Sequence, residues 1–173
     1  HTLGMEGGRF EVALEPLADP DTPDPNGSER VELLVSANAG QPPRPLRKVA
    51  SGGELSRISL AIEVATLGLD AVPTMVFDEV DAGIGGAVAA AVGAKLRELG
   101  APRQVLCVTH QPQVAAAGHA QYRVSKAATD GMTQSSVRLL EASGRVDELA
   151  RMLGGAEVTA EAKAAAKRLL AGF

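Results

Sequence analysis

With 173 residues, 45% of them apolar and 22% charged, the chain is long enough to bury a core and reads as a globular domain, not a disordered segment. Its 17 basic against 21 acidic side chains leave a net charge of −4, which argues against coating DNA by bulk electrostatics but leaves room for a local basic patch. Four aromatic residues, Phe10, Phe77, Tyr122 and Phe173, are too few for a base-stacking platform, and the lone Cys107 excludes an internal disulfide or a multi-cysteine zinc site. No apolar run reaches the roughly 18 residues of a membrane span, and the first residues resemble no signal peptide, which points to a cytoplasmic protein. His1 in place of an initiating Met points to a piece of something longer.

From Arg9 to Leu17, Phe10, Val12 and Leu14 alternate with Glu11 and Glu15, and Val31, Leu33 and Val35 repeat the pattern. Period two predicts two half-buried strands, an antiparallel hairpin over 9–37 whose tip, the gap between Leu17 and Val31, is a Pro-rich, acidic loop. Ala39 to Arg47, with Pro42, Pro43 and Pro45, reads as extended linker, and Arg44, Arg47 and Lys48 form a small basic cluster before the next element.

Leu55, Ile58, Ile62, Ala65 and Leu69 recur at helical spacing and predict a helix over 52–69 with one buried stripe, ended by Gly68 and Pro73. It opens on Ser51-Gly52-Gly53-Glu54. That tetrapeptide fits a capping box, in which Ser51 and Glu54 satisfy each other's backbone N–H groups. It equally fits a phosphate site, because glycines admit close approach to a helix start whose free N–H groups favour an anion.

Thr74 to Phe77 and Gln104 to Thr109 are short apolar runs, predicted as strands over 74–78 and 104–110. Between them Ile84, Val88, Val92, Leu96 and Leu99 mark a helix. Strand, helix, strand with continuous apolar strands predicts a parallel sheet buried on both faces. Further on, Gln121–Ser125 and Thr133–Leu140 read as strands about a turn at Asp130-Gly131. Helices follow over 145–153 and 160–170, the second with Thr159 as N-cap and a face of Ala162, Ala166, Leu169 and Leu170.

Ligands of open parallel sheets bind beyond the carboxyl ends of the strands. Asp78 and Glu79 close one apolar run there, and Thr109 and His110 the other. A carboxylate at such a position suits Mg²⁺ held through water, and its neighbour can orient or deprotonate a water molecule. His110 can meet a phosphate oxygen. Taken singly, each group has a plain alternative: an acidic strand end that caps the next helix, or a histidine satisfied within a loop.

In order along the chain, Val49-Ala-Ser-Gly-Gly-Glu-Leu-Ser-Arg resembles the signature motif of ABC-type ATPases and Thr74-Met-Val-Phe-Asp-Glu their Walker B strand. Val80-Asp81-Ala82-Gly83 resembles the D-loop and Val108-Thr109-His110 the switch-histidine loop. The wording Phe77-Asp-Glu-Val-Asp-Ala-Gly-Ile-Gly-Gly, Cys107-Val-Thr-His-Gln-Pro-Gln-Val-Ala and Glu148-Leu-Ala-Arg-Met-Leu-Gly-Gly places the resemblance in the SMC-like branch, among bacterial DNA double-strand-break repair members. It runs from about Phe10 onward and implies one α/β segment over 1–173. That segment would be the C-terminal part of an ABC-type P-loop ATPase head, a mostly parallel sheet with flanking helices and antiparallel hairpins.

The resemblance also implies roles. Asp78 would lie near Mg²⁺, Glu79 would be the general base and His110 would sense the γ-phosphate. Ser51, Gly52, Gly53 and Glu54 would reach ATP held by a second head, with Asp81 crossing the same interface. The implied cofactors are ATP and Mg²⁺. The implied partners are a second head in a homodimer, an N-terminal head segment bearing Walker A, and DNA, with no membrane and a nucleoid-associated, cytoplasmic location. The chain departs from the pattern in having no G-x-x-x-x-G-K-[ST] loop, which implies that it does not hydrolyse ATP by itself. A non-catalytic docking module, or an ATP-binding subunit of another SMC-like or ABC-type ATPase, is the alternative.

Overall fold

The computed structural model describes residues 3–17, 25, 27–36, 38–48, 52–66, 72–129, 132–155 and 157–173. Strands β1 (Arg9–Pro16) and β2 (Glu29–Ser36) pair antiparallel from Arg9↔Ser36 to Pro16↔Glu29. Alternation set the strands but not their burial. Phe10, Val12, Leu14 and Val31 are exposed rather than half-buried, because no described element covers the ribbon. Most of the acidic tip lies outside the described residues. The stretch expected as plain linker adds a short strand β3 (Arg44–Pro45) opposite Leu34 and Val35, then a 3₁₀ turn, Leu46–Lys48. Arg47 of the basic cluster meets Glu32 of β2 at 3.1 Å.

Helix α1 (Gly52–Ala65) ends in the described residues with Thr66 bonded back to the Ile62 carbonyl, and residues 67–69 of the expected helix lie outside them. Its buried side carries Gly53, Arg57, Ile58 and Leu60, with Ala61 and Val64 packed on the core. Leu55 and Ile62, placed on the buried stripe by their spacing, are exposed. Two helical rows compete on this apolar helix, and the one holding Gly53, Arg57, Leu60 and Val64 faces the core.

Strands β4 (Thr74–Phe77) and β5 (Gln104–Cys107) pair in parallel, Thr74↔Gln104 to Phe77↔Cys107, across helix α2 (Gly86–Leu99). Leu60, Phe77, Val80, Val92, Leu96, Leu99 and Val114 form the main core on one face of this pair. The other face is open: Val76 is 68%, Leu106 46% and Val108 62% exposed, so burial on both faces is met on one only.

A helix not anticipated from sequence, α3 (Pro112–Ala117), follows the second strand. At six residues, four of them Pro or Ala, it carries too little pattern to be seen. Strands β6 (Tyr122–Thr129) and β7 (Met132–Leu139) form an antiparallel ribbon, Tyr122↔Leu139 to Thr129↔Met132, whose described side chains are exposed. Helices α4 (Ala142–Gly154) and α5 (Ala160–Ala171) bury Leu149, Ala150 and Ala166 against Ala115 and Ala116. Thr159 Oγ1 accepts from the Ala162 N–H at 3.2 Å, the N-cap its position predicts.

Two arginines fasten the C-terminus of α3. Arg97 of α2 donates to the Ala117 carbonyl at 2.7 Å, and Arg145 of α4 donates to that of Gly118 at 2.6 Å. The orphan carbonyls and negative dipole end of a helix suit cations. The architecture is thus mixed α/β, a helix-backed parallel pair flanked by antiparallel ribbons.

Candidate functional site

At the carboxyl end of β4 and β5 the two chains of residues run side by side, with the Val108 N–H donating to the Phe77 carbonyl at 2.9 Å. Beyond it the backbone after β4 turns tightly: the Ala82 N–H donates to the Glu79 carbonyl at 3.0 Å. Glu79 has φ of 57°, the only positive value for a non-glycine among the described residues. A carboxylate residue in this region carries a backbone cost of about 1–3 kcal/mol and persists where its surroundings hold it.

Those surroundings come largely from α1. Ser56 Oγ donates to the Asp78 carbonyl at 2.7 Å, and the buried Arg57 donates from Nη1 to the carbonyls of Ala82 at 2.9 Å and Val80 at 3.5 Å. The glycine pair permits this approach. A Cβ on Gly52 would collide with Oε2 of Glu79, and one on Gly53 would stand 2.9 Å from the Ala82 Cβ. Asp78 and Glu79 are themselves exposed, and Asp78 Oδ1 accepts the Glu79 N–H at 2.9 Å.

Asp81 turns inward. Its side chain is 2% exposed, and Oδ2 accepts from the backbone N–H groups of His110 at 3.0 Å and Gln111 at 3.1 Å, and from the Thr109 hydroxyl. His110 Nδ1 lies 3.3 Å from the other oxygen. The carboxylate therefore places a proton on Nδ1 and leaves Nε2 to accept from Gln111 Nε2 at 3.3 Å, while that amide also donates to the Ile84 carbonyl at 2.7 Å. The imidazole is 67% exposed and open to a ligand.

Of the residues named from sequence, Gly52, Gly53, Asp78, Glu79, Asp81 and His110 thus gather at one sheet edge. Glu54 lies in the first turn of α1, and Ser51 lies outside the described residues. Ser56, Arg57 and Gln111 received no role from the sequence. A signal existed for Arg57: it stands four residues after Gly53, so it shares that helix face, and an arginine there must bury its charge against carbonyls.

Asp78 suits Mg²⁺ held in the usual way, by one carboxylate, water and substrate phosphates, since Oδ2 stays clear of the bond that Oδ1 makes. Among the described residues no cluster of three ligating side chains exists to form an all-protein cage. Cys107, at the end of β5, offers no thiolate ligand: burial, then the charges of Asp81 and Asp78, push its thiol up to about 12. No helix among the described residues is long and apolar enough to cross a membrane.

No family model matches the chain. Over 168 residues, 97% of the chain, it is 64% identical to a Xylella fastidiosa protein named DNA repair protein RecN. Proteins of that name from Deinococcus radiodurans and Streptomyces coelicolor are 51% identical over 170 residues and 44% over 178, each match covering 98% of the chain. The chain spans only about 30% of the length of these relatives. Among solved structures, the Smc head domain with coiled coil and joint from Pyrococcus yayanosii superposes with a TM-score of 0.58 at 22% identity, covering 86% of this chain and 26% of that one. A structure from work on ATP-driven dimerisation and DNA-stimulated activation of SMC ATPases superposes at 0.52 and 20% identity, covering 90% and 88%. Over nearly its whole length the chain is therefore similar to one part of the proteins named DNA repair protein RecN, and it has the fold of SMC head domains.

Proposed function

We propose that this chain supplies the Walker B acid, signature and switch-histidine parts of an ATP-hydrolysing head that serves DNA repair, in a composite site closed by a second copy of the head. The observation that carries this is the gathering of Asp78, Glu79 and His110 at the carboxyl edge of the parallel pair β4–β5, with Asp81 tying the switch loop to the acidic turn. Phosphoryl transfer needs little covalent chemistry from a protein, so positioned charges of this kind suffice.

Mg²⁺, when bound beside Asp78, would neutralise charge on the phosphates of ATP. Glu79, exposed beyond the strand, orients the attacking water and takes its proton. His110 meets the terminal phosphate once Gln111 releases Nε2, while the Asp81 carboxylate keeps the ring oriented from Nδ1. Ser51, Gly52, Gly53 and Glu54 serve the nucleotide of the second head.

The phosphate loop comes from another segment of the longer protein, without which this chain does not turn over ATP. The open face of Val76, Leu106 and Val108 supports a docked companion, since apolar side chains gathered on one exposed sheet face mark an interaction surface. The cell compartment that follows is the cytoplasm, at the nucleoid. The test is Glu79→Gln in the full-length protein: ATP binding is retained while hydrolysis falls by about 10²-fold or more. Undiminished turnover would remove Glu79 from the chemistry.

A further inference from the structure

We infer that Ser56 and Arg57 are positioning residues for Glu79 of their own chain, so that α1 sets the acid's geometry in cis besides presenting its glycine-flanked start outward. This rests on the water-activating role proposed for Glu79. The left-handed backbone at Glu79 needs support, and α1 supplies it on both sides of the residue. Ahead of it, the Ser56 hydroxyl holds the Asp78 carbonyl at 2.7 Å; behind it, Arg57 holds the Ala82 carbonyl at 2.9 Å. The Arg57 bonds do not reach outward, for that side chain is buried.

The glycines complete the same brace. Gly53 lies against Ala82 with no room for a methyl group, and Gly52 lies against the Glu79 carboxylate. Gly53 is therefore required within the chain, independently of any phosphate that approaches from outside. A shift of α1 cannot leave Glu79 where it was, because the helix grips the turn at both ends of the residue. Both bonds come from Nη1 of a rigid, planar guanidinium head, which the flexible ammonium-tipped stem of a lysine does not reproduce in place.

The experiment uses full-length protein co-produced with two affinity tags, so that dimers of two different chains are isolated. In a composite dimer each site takes Glu79 from one chain and the signature from the other. With Arg57→Lys on one chain and Glu79→Gln on its partner, positioning in cis leaves no working acid, and hydrolysis falls to the level of the Glu79→Gln homodimer with the KM for ATP unchanged. With both substitutions on one chain and a wild-type partner, about half of the wild-type rate survives, one of the two sites being intact. The opposite pattern overturns the inference, because Arg57 would then serve the signature across the interface. Equal loss in both arrangements also overturns it, as a general structural effect. Ser56→Ala, which removes one hydroxyl, repeats the pair of measurements if the Arg57 variant does not yield dimers. Equal hydrolysis by wild-type and Glu79→Gln homodimers would instead remove the acid role of Glu79, and the inference with it.

Discussion

Asp81 accepts the backbone N–H of His110 at 3.0 Å and faces its imidazole Nδ1 at 3.3 Å, so one buried carboxylate joins the turn after β4 to the loop after β5. Asp81 and His110 are 29 residues apart in sequence, and α2 separates them. The carboxylate fixes both the backbone and the ring of the histidine, which is how an exposed side chain acquires a defined direction.

Asp81→Asn tests that relationship. An amide offers one acceptor oxygen where the carboxylate offered two, and it turns its own N–H groups toward donors. Leaving buried donors without partners costs about 1–3 kcal/mol, more where a charge was involved. Denaturation in urea should show a loss of this size, together with faster exchange of the His110 and Gln111 amide protons. Unchanged stability and exchange would mean that the carboxylate does not organise the loop.

Cys107 carries a second prediction. Its thiol is held at about 12, against a reference of 9.0, by burial first and then by Asp81 and Asp78. Only the thiolate reacts, so at pH 8 the native protein should be modified by a thiol reagent roughly a thousand-fold more slowly than the unfolded chain. Replacing Asp78 by Asn should speed the native reaction, since it removes one of the two charges. A native rate equal to the unfolded one would contradict the placement of Cys107.

The acidic strand ends and the glycine-flanked helix start were legible because each is a local string: a short apolar run and then Asp78-Glu79, or Ser51-Gly52-Gly53-Glu54 before a helical pattern. Their mutual placement followed from one rule about parallel strands. Burial was less legible. Alternation at Phe10, Val12 and Leu14 specifies a strand with an apolar side, but whether that side is covered depends on segments other than the strand. The same holds for Val76, Leu106 and Val108. On α1, Leu55 and Ile62 competed with Gly53 and Arg57 for the core, and hydrophobicity favoured the wrong row. The contact that decided it, a guanidinium on two carbonyls, is tertiary and leaves no periodic trace.

Glu148 gives a prediction in which pH decides the outcome. Its buried carboxylate takes a two-pronged bond from Arg151 of the same helix, at 2.6 and 3.0 Å, and lies 3.4 Å from Arg123 of β6. The Arg151 hydrogen bonds, opposed by burial and assisted by the charges of Arg151 and Arg123, hold the carboxyl below its ordinary value of 4.5. A depressed carboxylate stabilises the fold above the unfolded-state value and stops doing so as pH falls through the lower folded value. The contribution is therefore complete at pH 7 and begins to shrink below about 4.5. Both arginines are roughly half exposed, at 48% and 45%, so solvent screens the pair and the deeply buried limit does not apply. Glu148→Gln should cost about 1–3 kcal/mol at pH 7, the range for losing hydrogen bonds to a charged group. The gap to wild type should close progressively as pH falls below about 4.5, because acid protonates the wild-type carboxyl and removes what the variant already lacks. A gap that stays constant over that range would show that the substitution acts through packing on α4 and not through the charge that joins the helix to the β6–β7 ribbon.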